Sequence, residues 1–266
     1  MELKEHIETV IMNTFKKIDA VYDNNQEKDT NKAMTTESRL IFPKYSGKEE
    51  TRVSEQELRF LFVEEFNKYL SDYNQEHKNK PLNLFYSIET PTHYRFRFPQ
   101  QNKDVPRAYL PSSNENEGES ASFDLVIYNH DRKRVALIEF KKDGGSAHQM
   151  AKDFLKLAIE PGYKERTLRY FIMISSSQTP FSEKSPRGKN LKKAMLEKFE
   201  QQPCFTLLKE QNKNIEGVIW NKVCVFWHRL PCDPPKDTND FYAEYTAPNK
   251  LEIYDHHHPS MKQQIS

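Results

Sequence analysis

Asp124, Glu139 and Lys141 fall within one stretch, residues 122–142 (SFDLVIYNHDRKRVALIEFKK), which reads as two strands joined by a polar turn. The turn residues His130, Asp131, Arg132 and Lys133 centre this hairpin between 131 and 132. Reflection through that centre sets position 124 opposite position 139. Directly opposed residues of an antiparallel pair share a face, with Cβ atoms about 4.5–5.5 Å apart. Side chains alternate along a strand, so Lys141 joins Glu139 on that face. Two carboxylates beside one ammonium make a site for a divalent cation, with a charged group that can stabilise negative charge developing next to it.

A Glu-x-Lys strand end can also be an ordinary solvated face with one salt bridge. Three features favour a site. Glu139 and Lys141 follow the apolar run Val135-Ala136-Leu137-Ile138 and enclose Phe140, which puts them at the rim of a core. Asp124 sits inside Phe123-Asp124-Leu125-Val126-Ile127, where a carboxylate is costly without a partner. Asp143-Gly144-Gly145-Ser146 then turns the chain into a helix.

The elements that must position these residues have their own signatures. Residues 2–22 repeat apolar side chains at the helical period: Leu3, Ile7, Val10, Ile11, Phe15, Ile18, Val21 and Tyr22. Core packing best explains this helix, with a cap or an oligomerisation arm as alternatives. Residues 23–37 are a polar linker. A second helix spans about 54–73, opened by a capping box of Ser54 and Glu57. Its buried stripe is Leu58, Leu61, Phe62, Phe66 and Tyr69. Glu55 lies in its first turn, where the helix dipole alone would favour an acid, and Glu65 lies mid-stripe. Residues 83–98 read as a strand, with Tyr94, Phe96 and Phe98 alternating against His93, Arg95 and Arg97. Residues 99–120 form a long polar loop that suits a flap. A helix over 146–157 carries Gln149 and Asp153 four apart, and Lys152 and Lys156 four apart. An apolar strand follows at 167–175, then a lysine-rich helix at about 187–200 and strands at 204–208 and 217–227.

Asp124, fourteen intervening residues and Glu139-Phe140-Lys141 resemble the core signature of the PD-(D/E)XK nuclease superfamily, which includes type II restriction enzymes, junction resolvases and recombination exonucleases. The context is similar too: an upstream helix with a Glu, a strand before Asp124, and a helix then a strand after Lys141. The likeness covers roughly residues 52–177. Phe123 stands where the signature often has Pro. The resemblance implies an α/β fold with a restriction-endonuclease-like core: a central mixed sheet of four to five strands flanked by helices, with the N-terminal helix added. The corresponding division is a helix and linker (1–37), a nuclease-like domain (38–250) and a polar tail (251–266).

The same resemblance implies Mg²⁺, or Mn²⁺ in its place, held by Asp124, Glu139, the Phe140 backbone carbonyl and water. Superfamily members commonly present a Glu from the upstream helix, followed by apolar residues three, six and seven positions later. Glu55 with Leu58, Leu61 and Phe62 matches that pattern, which would give Glu55 a second metal ion or its water. Glu65 is the alternative, and Gln149 is a further candidate near the site. Asp124, Glu139, Lys141 and Glu55 are thus the expected catalytic set. The implied activity is phosphodiester hydrolysis by an endodeoxyribonuclease of restriction, defence or repair type. A non-catalytic binding module and an RNA-cleaving nuclease are the alternatives.

Net charge is only +1, but its distribution is uneven. Residues 141–200 hold thirteen Lys/Arg against seven Asp/Glu, while residues 110–131 hold five acids and no Lys or Arg. A basic half beside an acidic pocket suits a phosphodiester partner. DNA is therefore the expected partner, with a homodimer left open. The 17 Phe and 13 Tyr supply much of a core. No apolar run is long enough for a membrane span, and the N-terminus lacks a signal-peptide layout. Cys204, Cys224 and Cys232 show no Cys-x-x-Cys spacing, which points away from zinc and disulfides and toward a reducing, cytoplasmic compartment. His256-His257-His258 reads as an incidental exposed cluster.

Overall fold

Three helices and seven strands form among the described residues, which in this computed structural model are 2–26, 38–44, 46, 51–96, 119–142, 147–162, 167–175, 221–230, 241–246 and 250–254. In chain order they are α1 (Leu3–Gln26), α2 (Glu55–Glu76), β1 (Phe85–Phe96), β2 (Glu119–Tyr128), β3 (Arg134–Lys142), α3 (Ala147–Ile159), β4 (Leu168–Ser175), β5 (Val223–Arg229), β6 (Phe241–Thr246) and β7 (Lys250–Tyr254). The strands build one mixed sheet in sequential order, β1 to β7. β1, β2 and β3 are antiparallel neighbours. β3, β4 and β5 run parallel. A parallel pair needs a crossover, and α3 supplies the one between β3 and β4.

The chain is therefore α/β, with a mixed sheet flanked by helices. Its first five strands form the central sheet expected from the sequence. β6 and β7 add antiparallel strands at its far edge. The boundary drawn at 250/251 falls inside β7, because residues 250–254 pair with β6 instead of leaving the fold as a tail. The expected loop at 99–120 ends two residues early, since β2 begins at Glu119. The rest of that loop, the helix at 187–200, the strand at 204–208 and His256-His257-His258 lie outside the described residues.

Alternation divides the sheet between two helical layers. Leu125, Ile127, Ala136, Ile138, Phe140, Tyr170 and Ile172 join one core with Ile7, Ile11 and Phe15 of α1 and with Leu58, Leu61 and Phe62 of α2. Burying each large side chain in this layer contributes on the order of 1.5–3 kcal/mol. Phe62 meets Phe140 edge-on at 5.4 Å. The intervening positions face α3, where Phe154 meets Phe171 at 5.5 Å. α1 thus packs into the main core, as its periodicity implies, and Asp19 on its later half pairs with the buried His228 of β5 at 2.8 Å.

α2 starts where its capping box predicts: Glu57 Oε2 accepts the Ser54 backbone N–H at 2.8 Å. The predicted stripe is buried through Leu58, Leu61, Phe62 and Phe66. Glu65 is buried within it and finds a cation: Lys17 of α1 at 2.7 Å. Lys17 is also 3.2 Å from Glu64. Glu65 therefore ties α2 to α1, away from the Asp124–Glu139 pair. Replacing Glu65 with Gln is expected to cost about 1–2 kcal/mol of stability, because one charge-assisted contact weakens while Lys17 keeps Glu64. Urea unfolding followed by circular dichroism would check this, and a variant as stable as wild type would contradict it.

Candidate functional site

The hairpin register is the one read from the sequence. Leu125 pairs with Ile138, Val126 with Leu137 and Ile127 with Ala136, so Asp124 and Glu139 flank the last paired rung. Asn129 organises the turn: its Oδ1 accepts the N–H groups of Asp131 at 3.1 Å and Lys133 at 2.9 Å. Arg132 takes a positive φ of 57° there. A register shift beyond Ile127 absorbs the extra residue near the turn and leaves the functional end in phase. On the other side, β1 pairs Ile88 with Leu125 and Thr90 with Phe123. Between these two rungs Glu89 departs from strand geometry, with a φ of 48°.

Asp124 is held at both oxygens. Its Oδ2 accepts the Phe140 backbone N–H at 2.7 Å. Its Oδ1 pairs with Arg59 Nη2 of α2. The other arm of the same guanidinium, Nη1, reaches Glu89 Oε1 at 2.7 Å. Arg59 follows Glu55 by four residues, so the two share a helix face.

Glu139 is only 1 % exposed. An isolated carboxylate at that depth would be very costly. Lys156 of α3 meets it, with Nζ 2.9 Å from Glu139 Oε1. The same ammonium lies 2.8 Å from Asp153 Oδ1 and donates to the Ser122 carbonyl at 2.7 Å. Three oxygens thus surround a group that has three donors. Burial pushes the Glu139 carboxyl well above its usual range; Lys156 opposes this, and Asp153 and Asp124 add to it. Burial would lower the Lys156 ammonium, yet Glu139 and Asp153 raise it above its ordinary value.

Lys141 lies 2.9 Å from Asp153 Oδ2 and 3.5 Å from Glu55 Oε2. Burial disfavours its charge, but Asp153 and Glu55 outweigh burial and raise its pKa. Glu55 also accepts the Lys142 backbone N–H through Oε1 at 3.2 Å. Burial would raise the Asp153 carboxyl, but Lys156 and Lys141 hold it below its ordinary value.

The structure therefore brings Asp124, Glu139, Lys141 and Glu55 to one end of the β2–β3 hairpin, and leaves Glu65 elsewhere. Gln149 lies in the first turn of α3, and its side chain is outside the described residues. Arg59, Glu89, Asp153 and Lys156 are site residues that the sequence reading did not assign. Asp153 and Lys156 carried a usable signal: a charged pair three apart, interrupting the apolar residues Phe154, Leu155, Leu157, Ala158 and Ile159.

Four carboxylates, Glu55, Asp124, Glu139 and Asp153, face three cations, Arg59, Lys141 and Lys156. Among the described residues, no three acidic, histidine or cysteine side chains form a ready-made metal cage. Mg²⁺, however, typically binds one or two carboxylates plus substrate phosphates and keeps several waters. Asp124, Glu139 and the Phe140 carbonyl, all oxygen donors, fit that chemistry. Also among the described residues, no helix is long and apolar enough to cross a membrane. No family model matches the chain, and no curated protein or solved structure matches it significantly.

The Asp153 pKa shift fixes a pH dependence. A carboxyl whose folded pKa lies below its unfolded value contributes stability above the unfolded value, about 3.9, and loses it as pH falls. Asp153→Asn should therefore melt below wild type at pH 7, with the gap narrowing under about pH 4. Melting curves across that range would check this, and a gap that widened in acid would contradict it.

Proposed function

We propose that this chain is a metal-dependent nuclease, with DNA as its substrate and Mg²⁺ or Mn²⁺ as its cofactor. The observation that carries the reading is the reach of Glu55: from a helix far upstream it contacts both Lys141 Nζ and the Lys142 backbone at the end of β3. A sequence pattern that pairs an upstream glutamate with Asp124 and Glu139-Phe140-Lys141 thus has a spatial counterpart. The order of helix, strand, hairpin, helix and parallel strand around these residues is further support.

When bound, a divalent ion would acidify an attacking water and offset charge on the phosphorus centre. Asp124, Glu139 and the Phe140 carbonyl would hold it. Lys141 orients the water and stabilises negative charge developing on the phosphate. Asp153 fixes the Lys141 ammonium for that role. Glu55 shares Lys141 and anchors the strand end through the Lys142 N–H.

A non-catalytic binding module is the second reading. It is favoured by the ion pairing itself: Arg59, Lys156 and Lys141 each neutralise a carboxylate of the set. Cleavage separates the two. Incubated with linear, plasmid and single-stranded DNA, and with RNA, the protein is expected to cut DNA with Mg²⁺ or Mn²⁺ and not with EDTA. Asp124→Ala and Glu139→Ala are each expected to abolish cutting in folded protein. Metal-independent cutting, or full activity in either variant, rejects the assignment; binding without cleavage supports the module.

Lys141→Ala should lower turnover on the order of 10²–10³-fold with little loss of DNA affinity, as expected when a preorganised electrostatic contact at the transition state is removed. Single-turnover kinetics beside a binding titration would measure both. A variant that cuts at the normal rate makes Lys141 a structural charge only.

A further inference from the structure

Asp124 has one oxygen committed to the backbone and one oxygen committed to Arg59. Oδ2 takes the Phe140 N–H at 2.7 Å, a contact built into the hairpin. Each Asp124 oxygen keeps a second lone pair, but Oδ1 is the one not tied to the backbone, and there a cation must compete with Arg59 Nη2. Arg59 has an alternative anchor. Its Nη1 is already 2.7 Å from Glu89 Oε1, and the Glu89 side chain is largely exposed. Glu89 reaches this position from inside β1 with φ at 48°, a left-handed conformation that non-glycine residues seldom adopt. Arg59 Nε finds no acceptor among the described residues, so the paired state leaves part of the guanidinium unsatisfied.

We infer that Arg59 is a displaceable latch on Asp124: in the absence of a divalent cation it closes the metal site by occupying Oδ1, and the arriving cation shifts it onto Glu89. This rests on the nuclease reading for the identity of the site. The latch neutralises the largely buried Asp124 carboxylate in the absence of metal, and it couples metal affinity to a side chain that donates no ligand. The released guanidinium stays beside the site, where its planar fork suits a phosphate oxygen.

The test is calorimetric titration of the full chain with Mn²⁺ alone, with no nucleic acid present, on wild type, Arg59→Gln, Arg59→Lys and Asp124→Asn. Thermal melts would confirm folding. Removing the competing charge-assisted contact should tighten Mn²⁺ binding roughly tenfold in Arg59→Gln. Arg59→Lys keeps the charge but cannot hold Asp124 and Glu89 together, so its affinity should fall between the two. Asp124→Asn should lose binding. Equal or weaker affinity in Arg59→Gln overturns the latch and leaves the nuclease reading standing. A tighter Gln variant beside a Lys variant equal to wild type shows that net charge alone acts, and also overturns it. If Arg59→Gln fails to fold, the Lys variant decides alone: tighter than wild type supports the latch, equal or weaker overturns it. Mn²⁺ binding to none of the four proteins at millimolar concentration overturns the latch and the metal reading together.

Discussion

Glu139 is a carboxylate almost wholly removed from water, and the rest of the site follows from meeting that demand. Its partner, Lys156, is itself buried, and a buried ammonium needs more than one oxygen. Asp153 and the Ser122 carbonyl complete its shell. Asp153 then has a second oxygen to satisfy and takes Lys141, which in turn reaches Glu55. Each contact answers the desolvation created by the one before. The result is a line of alternating charge running from α3, across β3, to the start of α2.

Such a line works only if α3 is fixed against the sheet, because an ammonium displaced by an ångström or two would leave Glu139 unpaired. The fixing is done at the C-terminal end of the helix, beside Lys156 in its last turn. Asn221 donates its backbone N–H and side-chain amide to the Ala158 carbonyl. Arg169 of β4 donates to the Glu160 carbonyl. The Glu160 carboxylate accepts the His93 N–H of β1 and pairs with Arg134 of β3. These contacts hold the orphan carbonyls that every helix C-terminus presents, and they bind α3 to three strands at once. The hydrogen bonds that close the C-terminus of α3 thereby place the adjacent Lys156.

Stability and the proposed chemistry share the same atoms. The ion pairs that make the buried carboxylates tolerable also reinforce the charge of Lys141 and occupy Oδ1 of Asp124. A cluster with more carboxylates than cations retains an attraction for a divalent ion even when every member is paired. Under the proposed metal-dependent reading, a divalent ion would compete with these ion pairs for its carboxylates.

Much of this was legible in the residues themselves. The helical period of α1 and α2, the Ser54–Glu57 cap and the apolar runs of β3 and β4 are local patterns, and the elements formed where the patterns lie. The Asp124–Glu139 pairing was legible because a hairpin is local too: turn residues and alternation fix its register within some twenty positions. Glu55 reached the site as a motif implied, yet no spacing within α2 could state which strand end it would touch. Arg59, Glu89, Asp153 and Lys156 lay beyond that horizon. Their roles arise where two helices and β1 converge on the hairpin, and a side chain's partner across such a junction depends on packing between segments distant in sequence. The periods, the cap, the hairpin and the available charges are local and follow from residue order. Which cation meets which carboxylate does not, because charges pair by distance and burial, and both are properties of the assembled layers.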